Sequence, residues 1–238
     1  MGVRRYQNPD GTLTEDGKHR YKKETIAKGS SVRRITDAKV KGSSNPIGMY
    51  TYGESSEDAY KSQAKNLPGI DRRSKKMRVT QYEFTRDAAL LSGEQSVKAY
   101  MDYIGDMSMK TFRNDYWSYS DNPAYNNVDN FIERQSKDVS IRDISKKAHS
   151  ISDKLGQDFV NTVAGYTFGS SDFSDGALDG TRKTHGEKFV SRMKDLGYDV
   201  IVDPEDYSNP NFNFKESYII LNNDVVKESG SYKERIKR

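Results

Sequence analysis

Cysteine is absent from the 238 residues, which excludes disulfide frameworks, thiolate zinc sites and cysteine nucleophiles. Histidine is scarce as well. His19, His149 and His185 lie too far apart in sequence to form a local ligand pair, so no metal site is expected. No apolar run approaches the roughly 20 residues of a membrane span. The charged N-terminus is not followed by the apolar stretch of a secretory signal, which implies synthesis in a cytoplasm. No Walker loop, GxGxxG, GxSxG or HExxH occurs. Apolar residues make up 33% of the chain and the mean hydropathy is −0.95, low for a compact enzyme. Part of the chain is therefore expected to be extended, solvated or bound to a partner.

What the sequence does have is an unevenly placed positive charge. Residues 1–34 carry nine Lys/Arg against Asp10, Glu15, Asp16 and Glu24, whereas the whole chain is only +4. The remainder is close to neutral and lacks the basic face that a nucleic-acid-binding body needs. The opening stretch surrounds an Asn8-Pro9-Asp10-Gly11 turn with charge and has little apolar surface of its own. It reads as an extended arm, suited to an acidic protein surface or to phosphates.

The expected fold class is α+β, with helices packed around a small mixed or antiparallel sheet. The expected division is an arm at 1–30, a domain at 31–228 and a basic tail at 229–238. Strands are expected at SVRRITDAKV (31–40), from Ile47 to Tyr52, and at KKMRVTQYEFT (75–85), where side chains alternate. The runs VIV and ESYIILN read as two more strands. Helices are expected after Ser55 or Ser56, after Ser92, at 108–120 and 128–136, and at 185–197 with Gly197 as its cap. A stripe of Ile141, Ile144, Ala148, Ile151, Leu155, Phe159 and Val163 predicts one long core helix over 140–165.

Two stretches resemble known families. The opening YQNPDGTLTEDGKHRY resembles the Y-Q-N-x-D-G-S-L-T-x-x-G-x-x-R-Y leader of proteins from phage and prophage head–tail gene clusters, departing from it at Thr12 and His19. That resemblance implies a virion-associated minor head or neck protein. Its arm would dock onto a portal, capsid or connector protein through Arg4, Arg5, Tyr6, Lys18, Arg20 and Tyr21. DNA is an alternative partner for the arm, and no membrane contact is implied. The implied place is the virion, or the host cytoplasm during assembly.

The rest is similar in outline to the ADP-ribosyltransferase fold. In that family an arginine on an early strand contacts the nicotinamide dinucleotide. A second strand, of Ser/Thr or aromatic character, supports it, and a glutamate on a late strand acts on the ribose. SSVRRITDA puts Arg34, or its neighbour Arg33, at the first position. GMYTYGESSEDAYKSQ puts Tyr50, Thr51 and Tyr52 on the second, with Thr51 where a serine is expected. LGYDVIVDPED followed by KESYIILNNDVV puts Glu216 at the entrance of the last. The pattern is broken at Phe214, where a second glutamate or glutamine is expected.

The chemistry explains these residue types. Breaking the bond to nicotinamide develops positive charge on the ribose, which a carboxylate near the 2′-hydroxyl stabilises. A guanidinium grips pyrophosphate in a forked geometry. The resemblance thus implies either a degenerate, cofactor-free domain or an active mono-ADP-ribosyltransferase using NAD to modify a host protein. In the active case Glu216 is catalytic, and Arg34, Thr51 and Tyr52 bind the cofactor. The plainer alternatives are a salt-bridged strand edge for Arg33 and Arg34, an exposed strand start for Glu216, and a solvated turn rather than a Ca²⁺ loop for Asp203, Glu205 and Asp206.

Overall fold

Val32 and Ile35 are three positions apart, so a strand that buries both must be covered on both faces. That is what the sequence 31–37 does: Val32 is 3% exposed and Ile35 9%. The computed structural model describes residues 20–37, 48–62, 75–116, 126–135, 138–168, 180–208 and 216–236. It is an α+β structure with an eight-stranded mixed sheet.

The strands are β1 (Lys23–Ile26), β2 (Ser31–Asp37), β3 (Met49–Tyr52), β4 (Lys76–Phe84), β5 (Ala88–Leu91), β6 (Val200–Val202), β7 (Ser217–Ile220) and β8 (Val226–Arg235). Their order across the sheet is β1-β5-β6-β7-β3-β2-β4-β8. Between these strands β5 and β6 pair in parallel, and the other pairings are antiparallel. The helices are α1 (Glu57–Ser62), α2 (Gly93–Ile104), α3 (Met109–Tyr116), α4 (Asn126–Glu133), α5 (Ile141–Ile151), α6 (Asp153–Phe168), α7 (Gly180–Asp195) and α8 (Pro204–Ser208). Gly197 follows α7 at φ +78°, a conformation suited to glycine, and its N–H donates to the Lys194 carbonyl at 2.8 Å.

The two faces of the sheet are covered differently. On one, Leu91, Ile201 and Ile219 join side chains of α2 to α7 in the main core, where Met109 and Phe112 of α3 are fully buried. On the other, Val32, Met49, Phe84, Leu90, Val202 and Ile220 form a core built mostly from strands. The sheet closes over that face by bending. The chain runs from β1 into β2 past Gly29 (φ +86°), and from β4 into β5 through residues 85–87. Two hydrogen bonds of 2.9 Å, Gly29 N–H to Phe84 O and Phe84 N–H to Ser30 O, carry the ladder across the bend. VIV and YII are continuous apolar runs because both of their faces are enclosed.

Four expectations are corrected. The sheet is large rather than small. The arm does not extend to residue 30, because Tyr21 is 5% exposed in the main core and β1 pairs with β5. The residues after 228 do not form a tail, because β8 runs to Arg235 along β4. The long helix over 140–165 is two helices. Ser152 is extended (φ −164°, ψ 150°), and its Oγ accepts from Leu155 N–H at 3.1 Å, capping α6. Ile151 consequently leaves the apolar stripe and is 60% exposed.

Candidate functional site

Strands β2, β3 and β7 are consecutive neighbours, with Arg33 opposite Tyr52 and Tyr52 opposite Ser217. These three residues share one face. Alternation then puts Arg34, Thr51 and Tyr218 on the other. Thr51 is opposite Tyr218, and its hydroxyl donates to the Tyr218 carbonyl at 3.5 Å. Gly53 N–H donates to Glu216 O at 2.9 Å, so Glu216 continues the same face just before β7 begins.

Arg34, Thr51 and Glu216 are thus brought together on one face of three adjacent strands. Tyr52 is not with them. A period of two cannot point residues 51 and 52 the same way, and the Tyr52 ring is stacked 4.6 Å from that of Tyr60. Thr51 is itself 2% exposed, so on its face Arg34 and Glu216 are the partly exposed members of the three. Arg33 also faces away and forms an ion pair with Glu57, which Lys61 joins at 2.7 Å. Arg34 is partly buried, which draws its guanidinium below its ordinary pKa against the opposing effect of a hydrogen bond with Tyr82.

Glu216 is held at one oxygen. Its Oε2 accepts the Ser55 N–H at 3.0 Å and the Ser55 hydroxyl, while its own N–H donates to Ser56 Oγ at 3.3 Å. Oε1 takes no donor among the described residues. Gly53 allows this arrangement, because a Cβ there would lie 2.7 Å from Glu216 Cδ. The carboxylate is therefore anchored with one oxygen left for a hydroxyl or a cation.

Tyr218 lies beside it. Burial, then the carboxylates of Glu216 and Glu24, push its phenol up to about 12. Glu24 stands on β1 opposite Leu90, a member of the strand-built core against which Tyr218 packs. The bend of the sheet thus turns β1 towards β7.

Behind the site, the Tyr60 hydroxyl donates to Asp206 Oδ2 at 2.9 Å and lies 2.5 Å from Ser217 Oγ. The turn expected at 203–206 is a correction as well. Asp203 is 2% exposed and caps the short helix α8, whose Pro204 occupies the first helical position. No cluster of three or more metal-ligating side chains occurs among the described residues.

Of the expected arm contacts, Arg4, Arg5, Tyr6 and Lys18 lie outside the described residues. Arg20 and Tyr21 are turned inward instead. Arg20 Nε donates to Asp102 at 2.5 Å, the Tyr21 hydroxyl donates to the same carboxylate at 3.0 Å, and the Tyr198 hydroxyl donates to Tyr21 O at 2.9 Å. Among the described residues, no helix is long and apolar enough to cross a membrane.

Ser55, Tyr60, Tyr218 and Glu24 were not nominated as site residues from sequence. Tyr218 was findable, since it lies two residues beyond Glu216 on the same strand face. The other three are assembled by tertiary contacts alone. No family model matches the chain, and no similar protein was found among curated proteins or solved structures.

Proposed function

We propose that this chain is an ADP-ribosyltransferase-like domain that binds a nicotinamide dinucleotide across β2, β3 and β7 and transfers its ADP-ribose to a protein. One observation carries the reading. Arg34, Thr51 and Glu216, nominated from three separate stretches of sequence, share one face of three neighbouring strands, with Glu216 Oε1 free of donors among the described residues. In this reading Arg34 grips the pyrophosphate, while Thr51, only 2% exposed, spaces the two charged groups from within the strand and is not itself a ligand contact. Glu216 Oε1 accepts a ribose hydroxyl and stabilises the positive charge that grows as the bond to nicotinamide breaks. Nicotinamide leaves with the electron pair of that bond. The acceptor supplies the pair for the new bond to the ribose and gives up its proton.

The intact protein is expected to release nicotinamide from NAD and to transfer labelled ADP-ribose to protein in a host lysate. Glu216→Gln is expected to slow nicotinamide release by about 100-fold, the scale of removing one group that stabilises transition-state charge, with NAD affinity nearly unchanged. Arg34→Ala is expected to weaken NAD binding by about tenfold or more, the loss of a hydrogen bond to a charged group. Absence of both NAD binding and nicotinamide release in the intact protein refutes the proposal.

A further inference from the structure

The hydroxyl of Tyr60 stands where three elements meet. It lies on α1, donates to Asp206 of α8 at 2.9 Å, and is 2.5 Å from Oγ of Ser217, the first residue of β7. Ser217 is fully buried and follows Glu216 directly in the chain. The turn that leads into α1 supplies Ser55 and Ser56, the residues that hold the Glu216 carboxylate and amide. Tyr60 therefore grips both sides of the Glu216 anchor, the start of β7 through Ser217 and the Ser55 turn through its own helix. Its ring is fixed in turn by the stack on Tyr52, at 4.6 Å and 13° between planes.

A hydrogen bond shared among a phenol, a carboxylate and a hydroxyl is strongly directional and sits in a partly enclosed place, where leaving one member unpaired is costly. Such a bond resists sliding of β7 against α1. The face beyond it, with Arg34 and Thr51, is not touched by this cluster.

We propose that Tyr60 and Asp206 are positioning residues that hold Glu216 against Ser55 with its free oxygen presented to the ligand face. The catalytic part of this inference rests on the transferase reading above, while the positioning part does not. Tyr60→Phe keeps the ring and its stack on Tyr52 and removes only the hydroxyl. Ser217→Ala removes the second contact and keeps the first, and serves as the companion variant should Tyr60→Phe fail to fold.

Two readouts separate the layers. Amide exchange at Ser55 and Gly53 in the full chain is expected to quicken by about tenfold in either variant while β4 and α6 keep their protection. With NAD as substrate, kcat for nicotinamide release is expected to fall by about tenfold with KM within about twofold, since Arg34 and Thr51 are undisturbed. Unchanged exchange at Ser55 and Gly53 overturns the positioning role, and so does faster exchange spread evenly through the domain. An intact protein that releases no nicotinamide defeats the transferase reading, and the exchange result still decides the positioning.

Discussion

Gly53→Ala tests the anchoring of Glu216 without touching any charged group. Gly53 has φ −79° and ψ 175°, values that alanine adopts without strain, so the backbone does not object. The added methyl does. It would lie 2.7 Å from Glu216 Cδ and 2.9 Å from Glu216 Cβ, and its three nearest neighbours all belong to Glu216. Relief requires the carboxylate to swing away from Ser55, giving up the 3.0 Å bond from Ser55 N–H and the bond from the Ser55 hydroxyl. Hydrogen bonds to a charged acceptor contribute about 1.5–3 kcal/mol each when enclosed, and a partly exposed carboxylate recovers much of that from water. The expected loss is about 1–3 kcal/mol, offset by about 0.4–1 kcal/mol because alanine restricts the unfolded chain. Net destabilisation of about 1–2 kcal/mol corresponds to a Tm lower by about 2–8 °C for a domain of this size. Thermal and urea unfolding of four proteins completes the test: the parent, Gly53→Ala, Glu216→Gly and the double variant. Glu216→Gly removes every one of those close neighbours, so Gly53→Ala should become neutral or mildly stabilising in that background, a coupling of about 1–3 kcal/mol. An equal cost in both backgrounds refutes the argument.

Asp102 and the α5–α6 junction give two further expectations. Burial alone would raise the Asp102 carboxyl, but hydrogen bonds from Arg20, Tyr21 and Arg142 hold it below its ordinary value. A lowered folded pKa contributes stability that is present above the unfolded value near pH 4 and lost as pH falls through the folded value. Asp102→Asn should therefore cost about 1–2 kcal/mol at neutral pH, with the gap to the parent closing below about pH 4 in urea titrations. A gap independent of pH would be at odds with that assignment. Ser152→Ala removes the cap on α6 and should lower stability by about 1 kcal/mol, a Tm loss of about 2–4 °C by calorimetry. No loss would show that Ser152 Oγ does not cap the helix in solution.

The parts of this structure legible in its sequence are those where burial writes a pattern. VIV and YII declare strands enclosed on both faces, and Met109 with Phe112 declares a helix face turned to the core. β8 was illegible for the opposite reason: KESGSYKER is almost wholly exposed, and an edge strand carrying charge shows no apolar alternation. The break at Ser152 was hidden because the spacing from Ile144 through Ala148, Ile151 and Leu155 continues at helical intervals while the backbone does not. Arg34, Thr51 and Glu216 were nominated because each stands in a recognisable stretch. Choosing Arg34 over Arg33, and Thr51 over Tyr52, takes the strand register, since adjacent residues point to opposite faces. Ser55 and Tyr60 lie in the same stretch as Thr51, but the contacts that bring them to Glu216 and Ser217 are tertiary, and Glu24 comes from a local sequence that carries no mark of the site.

The strand-built core joins Val32 to Val225, residues far apart in the sequence. A nascent polypeptide emerging from a ribosome cannot complete that half until β7 is free, because β7 fills the space between β3 and β6. Such distant pairing implies slow folding and a long interval with open strand edges. A chain stopped before Glu216 should therefore collapse around its helices yet clump through its unfinished sheet.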